Sequence, residues 1–155
     1  MFTARPRRLA VIGAGSCDDL VYAQARAVGA LAAGRGFEIV CGGLGGVMTG
    51  VCQGAREAGG RTIGILPGDD VAAANPFVDV AIATGLGIAR NVLVVKNGQA
   101  VIAVAGGAGT LSEIGLALKL GLPVAVLGHF ATLPGVLAAG SPEEAVTLVT
   151  ARLGD

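Results

Sequence analysis

The sequence has no tryptophan, one tyrosine, one histidine and only 14% charged residues. Eleven basic and eleven acidic side chains leave no net charge. This excludes the basic excess with which nucleic-acid binders grip a phosphate backbone, so no nucleic-acid partner is expected. No His/Cys cluster has metal-ligand spacing, and no metal is expected. The lone histidine, His129, also lacks a Ser, Asp or Cys partner at a recognisable spacing, which argues against a catalytic triad. Cys17, Cys41 and Cys52 are odd in number and unpaired in spacing, as befits reduced thiols rather than a disulfide framework. The start, Met1 to Arg8, is basic, but the apolar run behind it is cut by Gly13 and Gly15. That run is too short for a signal-peptide core, and no stretch is long enough to cross a bilayer. A cytoplasmic protein with no membrane partner is expected.

What the chain has in abundance is apolar residues (53%) and glycine, 27 in 155. The length suits one domain, 1–155, with a substantial core. Short apolar runs alternate with helical-period segments. Strands are expected at Leu9–Ile12, Phe37–Cys41, Thr62–Leu66, Asp79–Ala83, Ala100–Val104 and Val124–Leu127. Helices are expected at Leu20–Ala33, Val47–Ala58, Ile88–Lys96, Thr110–Leu120 and Glu143–Leu153, the last announced by Ser141-Pro142. The segment Gly68 to Pro76 has no clear period and reads either as a lid or as an inert connection. The strands lack in/out polarity, which predicts burial on both faces. The fold class is therefore α/β: a Rossmann-like three-layer α/β/α arrangement with a mostly parallel sheet of about six or seven strands. High apolar content without net charge also predicts a homo-oligomer, dimer or tetramer.

Three glycine clusters fall where strands end and helices begin: Gly13-Ala14-Gly15-Ser16, Gly42-Gly43-Leu44-Gly45-Gly46 and Gly106-Gly107-Ala108-Gly109-Thr110. Ligands of open parallel sheets bind at such ends, and a helix N-terminus offers free N–H groups to a phosphate. The dinucleotide fingerprint is not matched, since Asp18 stands where its third glycine belongs. Neither a P-loop ending nor a nucleophile elbow is present. Phosphate binding is the expected role of Gly13, Gly15, Ser16, Gly42, Gly43, Gly46, Met48, Gly106, Gly107, Ala108, Gly109 and Thr110. Ser16 and Met48 also have plainer readings, as a helix cap and as a core residue.

The stretch Phe37–Pro67, FEIVCGGLGGVMTGVCQGAREAGGRTIGILP, resembles the first signature of the LOG (lonely guy) family. The second signature, Pro-Gly-Gly-x-Gly-Thr-x-x-Glu, is matched by Ala105-Gly106-Gly107-Ala108-Gly109-Thr110-Leu111-Ser112-Glu113. Arg90 stands 23 positions before Glu113, where that family has a catalytic arginine. The resemblance implies hydrolysis of the N-glycosidic bond of a purine nucleoside 5′-monophosphate, with Arg90 and Glu113 as catalytic residues. A carboxylate suits an oxocarbenium-like transition state, and an arginine suits a phosphate or leaving group.

The match departs from the family in two places. Ala105 replaces the proline, and Arg90 is followed by Asn91 rather than lysine. The segment Thr84–Asn91 instead resembles a sister branch that includes molybdenum cofactor carrier proteins. That likeness implies binding of a pterin phosphate without hydrolysis. No cofactor is required on either reading; a bound nucleotide, phosphate or molybdenum cofactor is the expected small-molecule partner. Glu113 has a second reading as well, since Thr110-Leu111-Ser112-Glu113 is a capping box.

Overall fold

The computed structural model describes residues 4–154; Met1–Thr3, the tip of the basic start, and Asp155 lie outside the described residues. The elements are β1 (Arg7–Gly13), α1 (Asp19–Gly34), β2 (Phe37–Cys41), α2 (Val47–Glu57), β3 (Thr62–Leu66) and β4 (Val80–Ala83). The second half contributes α3 (Arg90–Lys96), β5 (Ala100–Val104), α4 (Ala108–Lys119), β6 (Val124–Leu127), β7 (Leu137–Ala138) and α5 (Pro142–Arg152). The strands form one seven-stranded sheet in the order β4-β3-β2-β1-β5-β6-β7. Every neighbouring pair is parallel. This is the expected three-layer α/β/α fold.

The apolar strands dictate the layering. All five residues of β3 and of β5 are buried, so the sheet needs cover on both faces. Ala25, Val28 and Ala32 of α1, Val51 and Ala55 of α2, and Val146 and Val149 of α5 supply it on one side. Val94 and Val95 of α3, with Ile114 and Ala117 of α4, supply it on the other. Crossovers leaving β1 toward β2 and those leaving β5 toward β6 travel in opposite directions. Their helices therefore lie on opposite faces, as right-handed connections require. Between β1 and β5 the strand order reverses, and these strands pair from Leu9↔Ala100 to Gly13↔Val104. A crevice opens above such a switch point.

Three helix starts differ from expectation. Asp18, rather than Ser16, caps α1 by accepting from Val21 N–H at 2.8 Å. The residue that breaks the dinucleotide pattern is thus the one that holds the helix start. α4 begins at Ala108, so Thr110 is its third residue and the expected capping box does not form. Ser141 caps α5 as expected. The expected helix at Ile88 starts instead as a 3₁₀ turn, Gly87–Ala89, leading into α3. The Gly68–Pro76 segment is a connection that is tied down. Asn75 N–H donates to Gly43 O and its side-chain amide to Leu44 O, both at 2.9 Å.

Candidate functional site

The three glycine clusters have different jobs. At Gly46 the backbone is left-handed (φ +61°), and a Cβ would collide with Ala14 O. Val47 N–H donates to the same carbonyl at 2.9 Å, so the first two loops interlock. Met48 N–H is also taken, by Gly45 O. The first two donors of α2 are thus spent inside the protein. The start of α1 is answered by Asp18, with Asp19 in the first turn, and two carboxylates there repel an anion.

The third cluster is otherwise. α4 has Gly107 as its N-cap and no side-chain cap. Among the described residues, the N–H groups of Ala108, Gly109 and Thr110 have no acceptor; the first bond of the helix is Leu111 N–H to Gly107 O. A Cβ at Gly107 or at Gly109 would meet nothing within 4 Å. Twelve residues of helix therefore point an unanswered positive end into open space.

That open space is a cleft of about 190 Å³ above the β1/β5 switch point. Gly13, Gly15, Gly42, Met48, Arg90, Gly107, Gly109, Thr110 and Glu113 stand on its wall. Ser16, Gly43, Gly46, Gly106 and Ala108 do not. Gly43 and Gly46 shape the second loop from behind, and Gly106 makes room for the Thr110 side chain. The Thr110 hydroxyl makes no hydrogen bond among the described residues, and it borders the cleft.

Arg90, at the first turn of α3, reaches across to the second loop. A Cβ at Gly42 would lie 2.7 Å from Arg90 Nη2 and 2.7 Å from Met48 Sδ, so a side chain here would displace the guanidinium from its present place. Arg90 Nη1 donates to Asn91 Oδ1. The Asn91 amide approaches Ser112 Oγ at 3.5 Å, and that hydroxyl donates to Gly109 O at 2.7 Å. This chain of polar contacts ties α3 to the first turn of α4. Arg90 Nε is buried without a partner, a donor awaiting an acceptor. The sequence reading noted Asn91 only as a departure from the LOG pattern; the structure makes it the residue that orients Arg90.

Glu113 lies one turn into α4 and is buried. Its carboxyl makes no hydrogen bond among the described residues. Burial pushes its pKa up to about 7, and the Arg90 charge offsets part of that rise. The cleft thus brings together one arginine, the free amides of Gly109 and Thr110 with that of Ala108 just beside them, a hydroxyl and a carboxyl whose pKa burial raises toward neutrality. This set can take a phosphate dianion and hold a proton beside it.

Ala105, which replaces the LOG proline, sits in a left-handed conformation at φ +51°. A proline ring holds φ near about −65° and could not adopt it. The replacement is therefore tied to a different turn into the third loop.

Residues 6–152 match the SLOG cluster4 family, and the chain belongs to it. An uncharacterized protein of Archaeoglobus fulgidus is 45% identical over 139 residues, covering 90% of this chain and 91% of its own. The structure is similar to that of the molybdenum cofactor binding protein from the phototrophic bacterium Rippkaea orientalis. The TM-score is 0.92 at 38% identity, over 97% of this chain and 99% of the other. It is also similar to the molybdenum cofactor carrier protein of Chlamydomonas reinhardtii, with a TM-score of 0.88 at 34% identity, over 97% and 100% of the two chains. These relatives place the chain near the carrier branch of the LOG-like superfamily. Among the described residues, no helix is long and apolar enough to cross a membrane.

Proposed function

We propose that this protein binds the molybdenum cofactor, or a closely related pterin phosphate, as a carrier. Its phosphate is held by the amides of Ala108–Thr110 and by Arg90. The observation that carries this reading is the uncapped start of α4 facing an arginine whose Nε lacks a partner, in one cleft. The resemblance to carrier proteins supplies the rest of the ligand's identity. Carriage needs tight, reversible binding, and nothing in the cleft has to change covalently to provide it.

The cleft of one chain holds about 190 Å³, less than the roughly 300 Å³ at which whole-ligand pockets begin. One chain therefore covers the phosphate and its nearest atoms. Ile88, 89% exposed just before Arg90, and the exposed Leu111 just after Thr110 offer apolar surface for a second copy that completes the pocket. The expected homo-oligomer is thereby given a role.

A second reading keeps a specific observation on its side. Glu113 beside Arg90, with its carboxyl raised toward neutrality, suits hydrolysis of a nucleoside 5′-monophosphate. One preparation separates the two. Protein purified from a host that makes the cofactor, examined by native mass spectrometry, should carry a pterin phosphate and show its subunit count. Arg90→Ala should arrive empty. An empty wild-type protein that takes up no molybdopterin contradicts the carrier reading; release of adenine from AMP by that protein, lost in Glu113→Gln, establishes the hydrolase.

A further inference from the structure

The cleft has a pair of thiols directly behind it. Cys41 closes β2 immediately before Gly42, and Cys52 lies inside α2, both buried. Their sulfurs are 3.5 Å apart, and Gly43 N–H donates to Cys41 Sγ at 3.3 Å. They are eleven positions apart in the chain. No part of the phosphate site uses either thiol. Their surroundings sort them into unlike roles. The hydrogen bond shared with Cys52, the Gly43 amide and the Arg90 charge favour the Cys41 thiolate, while burial opposes it. Its contact with Cys41 and its burial both push the Cys52 thiol up. The Gly43 amide on Cys41 marks that sulfur as the one better able to carry negative charge, with the Cys52 sulfur within reach as its partner.

We propose that Cys41 and Cys52 form a redox modification site, which hydrogen peroxide converts to a disulfide that reshapes the cleft's Gly42 wall. Cys41 Sγ attacks one peroxide oxygen, the O–O bond breaks, and water leaves behind a sulfenic acid. Cys52 Sγ then attacks the sulfenic sulfur, the S–O bond breaks, and a second water departs with the remaining thiol proton. The two sulfurs are oxidised by two electrons and the peroxide is reduced to two waters.

A disulfide is about 2 Å long, so the sulfurs close by roughly 1.5 Å from their present separation. Gly42 follows Cys41 directly in the chain and lines the cleft together with Arg90 and Met48. Oxidation therefore shifts Gly42 and α2 relative to the guanidinium. On the carrier reading, this couples the redox state of the pair to the grip on the phosphate. Cys17 is excluded from the pair. It is only partly buried, and burial followed by Asp18 and Asp19 pushes its thiol up, away from thiolate.

The test uses the whole chain and no ligand, so its failure is distinct from failure of the carrier reading. Protein is treated with hydrogen peroxide, quenched, and alkylated with iodoacetamide in urea. Intact mass should show one carbamidomethyl group in place of three, with a loss of about 2 Da, and both changes should reverse with dithiothreitol. Peptide mapping should join Cys41 to Cys52. Hydrogen exchange at amides 42–47 should change by about tenfold on oxidation. Cys17→Ser should behave as wild type, whereas Cys52→Ala should stop at oxygen adducts on Cys41. Three alkylatable thiols after treatment, or oxidation confined to Cys17, overturns the site. A disulfide that leaves the exchange of residues 42–47 unchanged overturns its coupling to the cleft.

Discussion

Glu113 is the residue whose chemistry the fold changes most. An unperturbed glutamate ionises near 4.3, but here burial raises that to about 7, against the pull of Arg90. The native protein therefore holds a proton that the unfolded chain has lost through that interval. Folding stability should decline as pH rises from about 4.5 to about 7 and level off above it, by at most about 4 kcal/mol. Glu113→Gln removes the ionisation, so its stability should be flat across the same interval. Urea unfolding of both proteins between those limits measures the difference. A wild-type protein that gains stability there relative to Glu113→Gln contradicts the buried, hydrogen-bond-free carboxyl. Its neighbour at this scale is Ala105, held at φ +51° at a cost of about 1 kcal/mol. Strain of this kind persists where a loop is fixed by its surroundings, and here the loop leads straight into the free amides of α4.

At the scale of elements, glycine richness divides into packing and access. Gly46 is needed by the fold, because its conformation is left-handed and Ala14 O fills the space a side chain would need. Gly109 is not, since a methyl group there meets nothing of this chain. Gly46→Ala should cost about 2–4 kcal/mol in denaturant unfolding. Gly109→Ala should leave stability unchanged or raise it by up to about 1 kcal/mol, yet weaken a phosphate ligand by crowding the cleft. A Gly46→Ala protein as stable as wild type, or a Gly109→Ala protein with unaltered affinity, would break this division.

The same scale shows what was legible beforehand. β2, β3, β5 and β6 fall on the expected residues because each is an apolar run stopped by glycine or proline. β7 escaped notice, since Leu137-Ala138 is too short to carry a period. The start of α4 was misplaced because Thr110 resembles a cap, whereas the glycines before it let the helix begin two residues sooner. Arg90 and Glu113 were legible by spacing to a known signature. The contact of Arg90 with Gly42, some fifty residues away in sequence, was not, because it depends on how α3 lies over the sheet.

For the whole molecule, zero net charge conceals a sorting. Among the described residues, Asp18, Asp19, Asp69, Asp70, Glu113, Glu143 and Glu144 lie at the carboxyl end of the sheet, where Arg90 is the base. Arg7, Arg8, Arg56, Arg61, Lys96, Lys119 and Arg152 lie at the opposite end. Parallel strands align the helices, so most of these charges complement the helix end nearest them; Glu38, Glu57 and Asp79 at the opposite end are instead paired with Arg8, Arg26 and Arg56. The consequence is that the cleft gains little from long-range attraction of an anion. Binding must rest on local donors: the free amides of Ala108, Gly109 and Thr110, and Arg90. A crystal structure of the protein with a bound pterin phosphate tests this most directly. The account predicts phosphate oxygens within hydrogen-bonding distance of those amides and of the Arg90 guanidinium. A phosphate seated instead on Gly42–Gly46, or at the start of α1 beside Asp18, would contradict it.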